Sequence, residues 1–265
     1  MIVRQEPFKK EELYQLACKN LGVNYFILMG LSISNAVYKD VYYLYKGQSI
    51  PENLEAVLFK RQSGNLQLMC FVDACSSEVC QDFQDLIEAT AFKKMITSQQ
   101  YVRALQAEHL FTTKVDGAYV HAAKKVAISK DSFTSDIHIR PLTADDVDTI
   151  EALYKSVFDS FTPPHIMRDK LASRRGRGVG LFKDHQLIAV AQSDFETECG
   201  AIIVGVATHP DYQHCGYGHA IMSALCMQLM AEGKEMILHY DSPIAGQLYA
   251  KMGFHQIDRI VHYEK

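Results

Sequence analysis

One run of the chain, Thr208-His209-Pro210-Asp211-Tyr212-Gln213-His214-Cys215-Gly216-Tyr217-Gly218, holds the residues whose types and spacing bear most directly on chemistry. It follows an apolar, strand-like segment that ends Val204-Gly205-Val206-Ala207, and it opens a segment with helical spacing that begins near Tyr217. A glycine-containing turn at a helix start presents several unpaired backbone N–H groups in one direction, with the positive end of the helix dipole behind them. Such a turn binds phosphate without lysine or arginine. Its glycines leave a pyrophosphate room to approach the main chain, which a Cβ would block. The chemistry implied is capture of a nucleotide-type cofactor by its diphosphate.

Two phosphate-binding motifs can be set against this run. A Walker loop needs Lys-Ser or Lys-Thr after its last glycine, and Gly218 is followed by His219-Ala220. The dinucleotide fingerprint needs a third glycine and a downstream acid on a second strand, and the third glycine is missing. What stands is Gln213-x-x-Gly216-x-Gly218 behind Val206-x-Thr208-x-Pro210. The glycines alone are compatible with an ordinary strand-turn-helix connection. Together with the upstream strand and the downstream features described next, the pattern resembles the acyl-coenzyme A loop of the GNAT superfamily of N-acetyltransferases. The resemblance implies acetyl-CoA as co-substrate, held by Gln213, His214, Cys215, Gly216, Tyr217, Gly218 and His219. It also implies that Val206, Ala207 and Thr208 lie along a splay between their strand and the next, with the Val206 N–H as donor to the acyl oxygen. Taken alone, those three residues read as plain buried strand.

The second landmark is Ala245-Gly246-Gln247-Leu248-Tyr249-Ala250-Lys251-Met252-Gly253-Phe254. Ile244, Leu248 and Met252 are spaced as a core stripe of a helix, with Ala245 and Tyr249 on an adjacent stripe able to face a cleft. Gly253 suits the position just past a helix end. Leu-Tyr-x-x-x-Gly-Phe resembles the final helix and strand of the same family, where the tyrosine is the general acid, which assigns that role to Tyr249. A phenol of pKa about 10 can donate to a thiolate whose conjugate acid titrates at about 8.5. The competing reading of Tyr249 is an amphipathic packing residue.

Two departures from the family pattern stand out. Many members carry an asparagine shortly before this helix, where this chain has Tyr240-Asp241-Ser242-Pro243. Ser242 suits a helix cap and Pro243 the first helical position. Some members use a strand glutamate as base, but the comparable inward positions, Ile202 and Val204, are apolar. Glu196 and Glu198 read as exposed turn residues. The base is left open among Glu198, His209, His239, a water chain and bulk solvent. Cys215 reads as a bystander of the loop, because no Cys–His–Asp arrangement follows from spacing.

The elements that must position these residues are those of a two-part α/β chain. Its 265 residues are 48% hydrophobic and 22% charged, enough for a substantial core and against bulk disorder. The net charge of −4 and the absence of a dense basic tract disfavour nucleic acid as a partner. The cluster Arg174-Arg175-Gly176-Arg177 reads as a solvated loop. Cys18, Cys70, Cys75, Cys80, Cys199, Cys215 and Cys226 are odd in number and scattered, which argues for reduced thiols and a cytoplasmic protein rather than a disulfide framework or a zinc site. The first residues lack an apolar run, so no signal peptide is expected. The stretch Tyr25-Phe26-Ile27-Leu28-Met29-Gly30-Leu31 is too short to cross a bilayer.

A polar segment over 128–136 is the expected linker. It divides the chain into 1–130, with 15 basic and 13 acidic side chains, and 131–265, with 12 and 18. In 131–265 the expected order is a strand at 137–140, helices at 144–158 and 165–173, and strands at 178–182, 187–195 and 201–208. A long helix from 217 to about 232 follows, then a strand at 236–240, a helix at 244–251 and a strand at 255–262. In 1–130, helices at 10–20 and 25–38, strands at 41–45, 56–60 and 66–72, a helix at 78–91, a short segment near 92–97, a helix at 99–108 and a strand at 118–128 repeat that order after its opening strand. The expectation is an internal duplication. Each half is a mixed sheet flanked by helices, with a GNAT N-acetyltransferase domain at 131–265 and a degenerate GNAT-like domain at 1–130. The turn Asp73-Ala74-Cys75-Ser76-Ser77-Glu78 of the first half has no glycine and carries two acids that repel a diphosphate.

The function expected from the resemblance is acetyl transfer from acetyl-CoA to a primary amine of a small molecule or peptide by direct attack, without a metal, nucleic acid or membrane. A non-catalytic acyl-CoA sensor is the alternative. Substrate identity and oligomeric state are not legible in the residues.

Overall fold

The computed structural model describes residues 1–4, 8–32, 37–128 and 136–264. All but the ends of the expected linker lies outside them. In chain order the elements are β1 (Ile2–Val3), α1 (Lys10–Cys18), α2 (Tyr25–Ser32), β2 (Tyr38–Tyr45), β3 (Leu54–Arg61), β4 (Leu66–Cys70), α3 (Ser77–Ala89), β5 (Met95–Ser98), α4 (Gln99–Ala104) and β6 (Thr113–Ala123). They are followed by β7 (Ile137–Pro141), α5 (Val147–Lys155), α6 (Pro164–Ser173), β8 (Gly178–Lys183), β9 (Gln186–Asp194), β10 (Gly200–Thr208), α7 (Tyr217–Ala231), β11 (Glu235–Tyr240), α8 (Pro243–Met252) and β12 (His255–Glu264). The succession β-α-α-β-β-β-α-β-α-β occurs twice. The first half has an opening strand after all, the two-residue β1, which is too short to leave an alternation pattern. The helix expected to run to 38 gives way, because Tyr38 already belongs to β2.

Compactness divides the chain into Met1–Val120 with Gln256–Lys265, and His121–His255. In the first unit β1, β2, β3 and β4 are successively antiparallel, β4 and β5 are parallel, and β12 pairs antiparallel with β5 through Ile260↔Ser98 and Val261↔Thr97. Its core is apolar and dense: Tyr43, Phe59, Met69, Phe83 and Val261 are fully buried. The last strand of the sequence therefore serves the core of the first unit.

In the second unit β7, β8, β9 and β10 are antiparallel neighbours and β10 pairs in parallel with β11. Two apolar clusters form there. Ile221, Leu225 and Leu229 of α7 and Met252 of α8 pack with Ala201 and Ile203 of β10. Ile150 and Leu153 of α5 and Met167 of α6 pack with Val190 and Ala207. The change of allegiance along β10, from Ile203 in one cluster to Ala207 in the other, has a local cause. The register against β9 shifts between Val204 and Ala207, and Gly205 adopts a left-handed φ of +59°. One extra residue reverses which side chains face which way. Val206 is turned toward the α7 and α8 cluster, where it is partly buried.

Among the described residues, no helix is long and apolar enough to cross a membrane.

Candidate active site

The site is built where β10 runs out. Its parallel pairing with β11 is registered from Gly200↔Glu235 to Ile203↔Leu238 and goes no further, although β10 extends to Thr208 and β11 to Tyr240. On its other edge β10 stays paired, through Ala207↔Val190 and Thr208↔Ala189. The His209 N–H donates to the Ile188 carbonyl at 2.8 Å, which makes that a hydrogen-bonded pair. Antiparallel pairs alternate, so Ala207 also turns its main-chain groups to β9. Thr208 turns its groups the other way, to the side where β11 has left the ladder, and Val206 lies within the bulge between Val204 and Ala207.

A hydrogen-bonded chain holds the bulge. Gln192 Nε2 donates to the Tyr154 hydroxyl at 2.7 Å, and that hydroxyl donates to the Gly205 carbonyl at 2.8 Å. A Cβ on Gly205 would stand 2.0 Å from the Tyr154 oxygen, so both the left-handed φ and the close approach require glycine. Burial pushes the Tyr154 phenol well above its ordinary range, so it remains a neutral donor.

Beyond Thr208 the chain makes a short helical turn over Pro210–Tyr212, capped by His209, whose Nδ1 accepts from the Asp211 N–H at 3.3 Å. Gln213 Nε2 donates to the Thr208 carbonyl at 3.3 Å and ties the loop to the strand end. His214 takes a φ of +62° and Gly216 one of +84°. Gly216 is the N-cap of α7, so no side chain caps that helix. The Ala220 N–H bonds back to Gly216; the Gly218 and His219 amides of the first turn precede it and point along the axis, out of the helix. A Cβ on Gly218 would lie 3.6 Å from Thr208 Oγ1 and 3.7 Å from Leu248 Cδ2. The strand end, the helix start and α8 thus converge around Gly218.

The corresponding helix of the first unit is closed. The Ser76 hydroxyl caps α3 by accepting from the Val79 N–H, and the Glu55 carboxylate accepts from both the Ser76 N–H at 2.7 Å and its hydroxyl at 2.8 Å. An anion site at α3 is therefore filled by the protein's own oxygens.

α8 starts on Pro243, with Ser242 as its cap accepting from Ala245, and stops at Gly253 with a φ of +98°. Its buried stripe is the expected one in part. Ile244 is 73% exposed, while Tyr249 and Met252 are buried and Ala245 and Leu248 are partly buried in the same cluster. Leu248 and Met252 of the predicted stripe are in the cluster, Ala245 and Tyr249 join them, and Ile244 alone falls outside it. The Tyr249 ring lies 5.3 Å from that of Tyr240 and 6.0 Å from that of Phe254. Burial, with Tyr240 and Cys226 adding, pushes its phenol up to about 12.

The sequence-predicted residues thus divide. Val206, Tyr217 and Leu248 pack on the cluster that contains Tyr249. Thr208 and Gly218 face each other, and Gln213 links loop to strand. Ala207 is buried on the opposite side. His214 and Cys215 are exposed, and Cys215 Sγ is occupied by the Gln213 carbonyl at 3.4 Å. Among the candidate bases, Glu198 is exposed and His209 caps a turn. Glu196 is not the exposed turn residue expected. Its carboxylate is buried among Arg177, Lys234 and Ser193, with Arg177 Nε and Lys234 Nζ each at 2.8 Å. Desolvation raises its pKa, and these hydrogen bonds override that to bring it down to about 2.

Tyr154, Gln192 and Gly205 were missed in the sequence reading. The signal available was an isolated glycine and a lone glutamine inside apolar strand runs, the mark of a bulge or a close backbone approach.

Comparison with known proteins agrees with this fold. Residues 176–256 match the acetyltransferase (GNAT) domain family. The whole chain is similar in fold to a GNAT-family acetyltransferase from Colwellia psychrerythraea, with 15% identity, 100% of this chain and 99% of that one covered, and a TM-score of 0.68. It is similar to a GCN5-related N-acetyltransferase from Sphaerobacter thermophilus, with 13% identity, 100% and 95% coverage and a TM-score of 0.61. It is also similar to a tandem GNAT protein from the clavulanic acid biosynthesis pathway, with 10% identity, 99% and 97% coverage and a TM-score of 0.62. No curated protein matches the sequence. Residues 176–256 thus carry the match to the GNAT acetyltransferase domain, and the chain as a whole has the tandem GNAT fold.

Proposed function

We propose that the second unit transfers an acetyl group from acetyl-CoA to a primary amine by direct attack. The amine nitrogen bonds to the thioester carbonyl carbon, the carbon–sulfur bond breaks, and one proton passes from nitrogen to sulfur, giving an amide and free thiol. The observation that carries this reading is the departure of β10 from β11 beyond Ile203, ending at the glycine-started helix α7. Such an opening offers main-chain donors along one edge and an anion site at its end. The amides of 216–219 would take the diphosphate, with Gln213, His214 and Cys215 bordering it. Val206, Ala207 and Thr208 would run beside the acyl-bearing arm, with the Val206 N–H directed to the carbonyl oxygen as negative charge develops there.

Tyr249 is the proposed donor to the departing sulfur. Held up at about 12, its phenol stays neutral at any working pH. It lies above a thiol of about 8.5, so it serves best by donating a hydrogen bond to sulfur while the proton balance is met by the attacking nitrogen. The first unit has a structural role in this reading, since its α3 terminus is self-capped. The net charge of −4 supports a small-molecule or peptide acceptor over nucleic acid, and seven free cysteines support a reducing, cytoplasmic setting.

The test is thiol release from acetyl-CoA with a panel of primary amines. Tyr249→Phe is expected to lower kcat by about 100-fold and to leave acetyl-CoA affinity within about twofold, because the hydroxyl acts on the sulfur only as the bond breaks. Unchanged kcat would remove Tyr249 from the chemistry. Binding of acetyl-CoA with no thiol release from any amine would leave an acyl-CoA sensor.

A further inference from the structure

On the α5 and α6 side of the sheet, against the bulge, lies a cavity of about 190 Å³. Gly205, the residue before Val206, is part of its wall. Three aromatic rings line it: Tyr154, with Phe158 at 5.2 Å and Phe161 at 5.6 Å between ring centres. Gln192 lines it too, and is 1% exposed. Its amide nitrogen is engaged by the Tyr154 oxygen, but its Oε1 accepts from no group among the described residues. A buried acceptor without a donor is costly, and this one stands in the wall of a cavity next to the proposed reaction centre. The cation in the wall, Lys170, already has a partner. Its Nζ is 3.2 Å from Asp194 Oδ1, and both side chains are largely buried. The buried group of the wall left unmet is thus an acceptor, and the faces beside it are π faces. Both favour a nitrogen that carries several N–H bonds and positive charge. A ligand carboxylate would find only the exposed Ser160 and Thr162 hydroxyls as further donors, and would meet Asp194 behind Lys170.

We infer that this cavity is the acceptor subsite, that Gln192 Oε1 and the rings of Tyr154, Phe158 and Phe161 hold the amino group, and that the substrate is a compact primary amine with an apolar tail and no carboxylate beside the amine. This rests on the acetyltransfer reading above and narrows it to a substrate class.

The experiment uses the full chain with acetyl-CoA and matched pairs of acceptors: 2-phenylethylamine against phenylalanine, and pentylamine against 2-aminohexanoic acid. Acetyl-CoA binding is measured separately by calorimetry. The expected result is a kcat/KM for each amine about tenfold or more above its carboxylated partner. Gln192→Leu should raise the amine KM by about tenfold or more, the cost of losing a buried acceptor, while the KM for acetyl-CoA moves by less than about twofold. Phe161 is only partly buried, so Phe161→Ala keeps the test available if Gln192→Leu does not fold. It should raise the amine KM about fivefold by loss of one π face. Equal or better turnover of the carboxylated partners, no turnover of either amine, or an amine KM unmoved by both substitutions would overturn the subsite while acetyl-CoA binding stood. Loss of acetyl-CoA binding itself would bring down the transferase reading and the subsite with it.

Discussion

The main-chain shape at Gly205 decides what Val206 can do. A left-handed φ, a shifted register and a tyrosine hydroxyl on its carbonyl meet at that one residue. Gly205→Ala puts a methyl group into the Tyr154 oxygen and forces an L-residue into the left-handed region, at a cost of roughly 2–4 kcal/mol. The expected outcome is a lower Tm together with a kcat loss larger than any change in acetyl-CoA affinity, because the Val206 N–H is moved while α7 is not. A kcat equal to that of the parent in a folded Gly205→Ala variant would show that the bulge has no part in the reaction. Glu196 offers a second residue-scale check. Its pKa of about 2 lies below the 4.5 of the free group, so its contribution to stability is present above pH 4.5 and is lost as pH falls through about 2. Glu196→Gln leaves Arg177 and Lys234 short of a buried partner. It should lower Tm at pH 7 by an amount that shrinks steadily below pH 4.5, as followed by thermal melts across that range.

Among the elements, α7 and α8 show how much of the proposed site is legible in the sequence. The start of α7 was legible because Gly216 and Gly218 must stand where a helix begins behind an apolar strand, and the strand's run of Ala201-Ile202-Ile203-Val204 has few other readings. Ser242, Pro243 and Gly253 likewise fix both ends of α8. The phase of α8 was less legible. Ile244 and Ala245 are both apolar, and a short helix with apolar residues on two adjoining stripes can be rotated by one residue without a visible penalty in the pattern. Packing resolves it by burying Tyr249 and leaving Ile244 exposed. Glu196 was misread for a related reason. Turn composition predicts exposure, but its partners Arg177 and Lys234 come from distant parts of the chain. Tyr154 and Gln192 escaped notice because their hydrogen bonds join α5, β9 and β10, a juxtaposition with no local signature.

Across the whole molecule, the duplication of the β-α-α-β-β-β-α-β-α-β order was legible from element succession, whereas the assignment of β12 was not. Its apolar residues Ile260, Val261 and Tyr263 announce a strand but not its partner. Pairing with β5 makes the last residues of the sequence part of the first unit's core. Removing Gln256–Lys265 should therefore unfold the first unit, because Ile260, Val261 and Tyr263 leave large apolar gaps. Limited proteolysis should then cut within 1–120. Resistance there equal to that of the full chain would refute the assignment.

The proposed hold of the α7 amides on the diphosphate of acetyl-CoA is measured most directly by calorimetric titration of the full chain with acetyl-CoA. Saturable binding of one equivalent is expected, weakened about tenfold or more by Gly216→Ala, which strains a φ of +84° at the N-cap. Gly218→Ala, whose added methyl meets only ordinary contacts at 3.6 Å and 3.7 Å, should weaken it less. Absence of heat on folded protein, or affinity indifferent to Gly216→Ala, would contradict it.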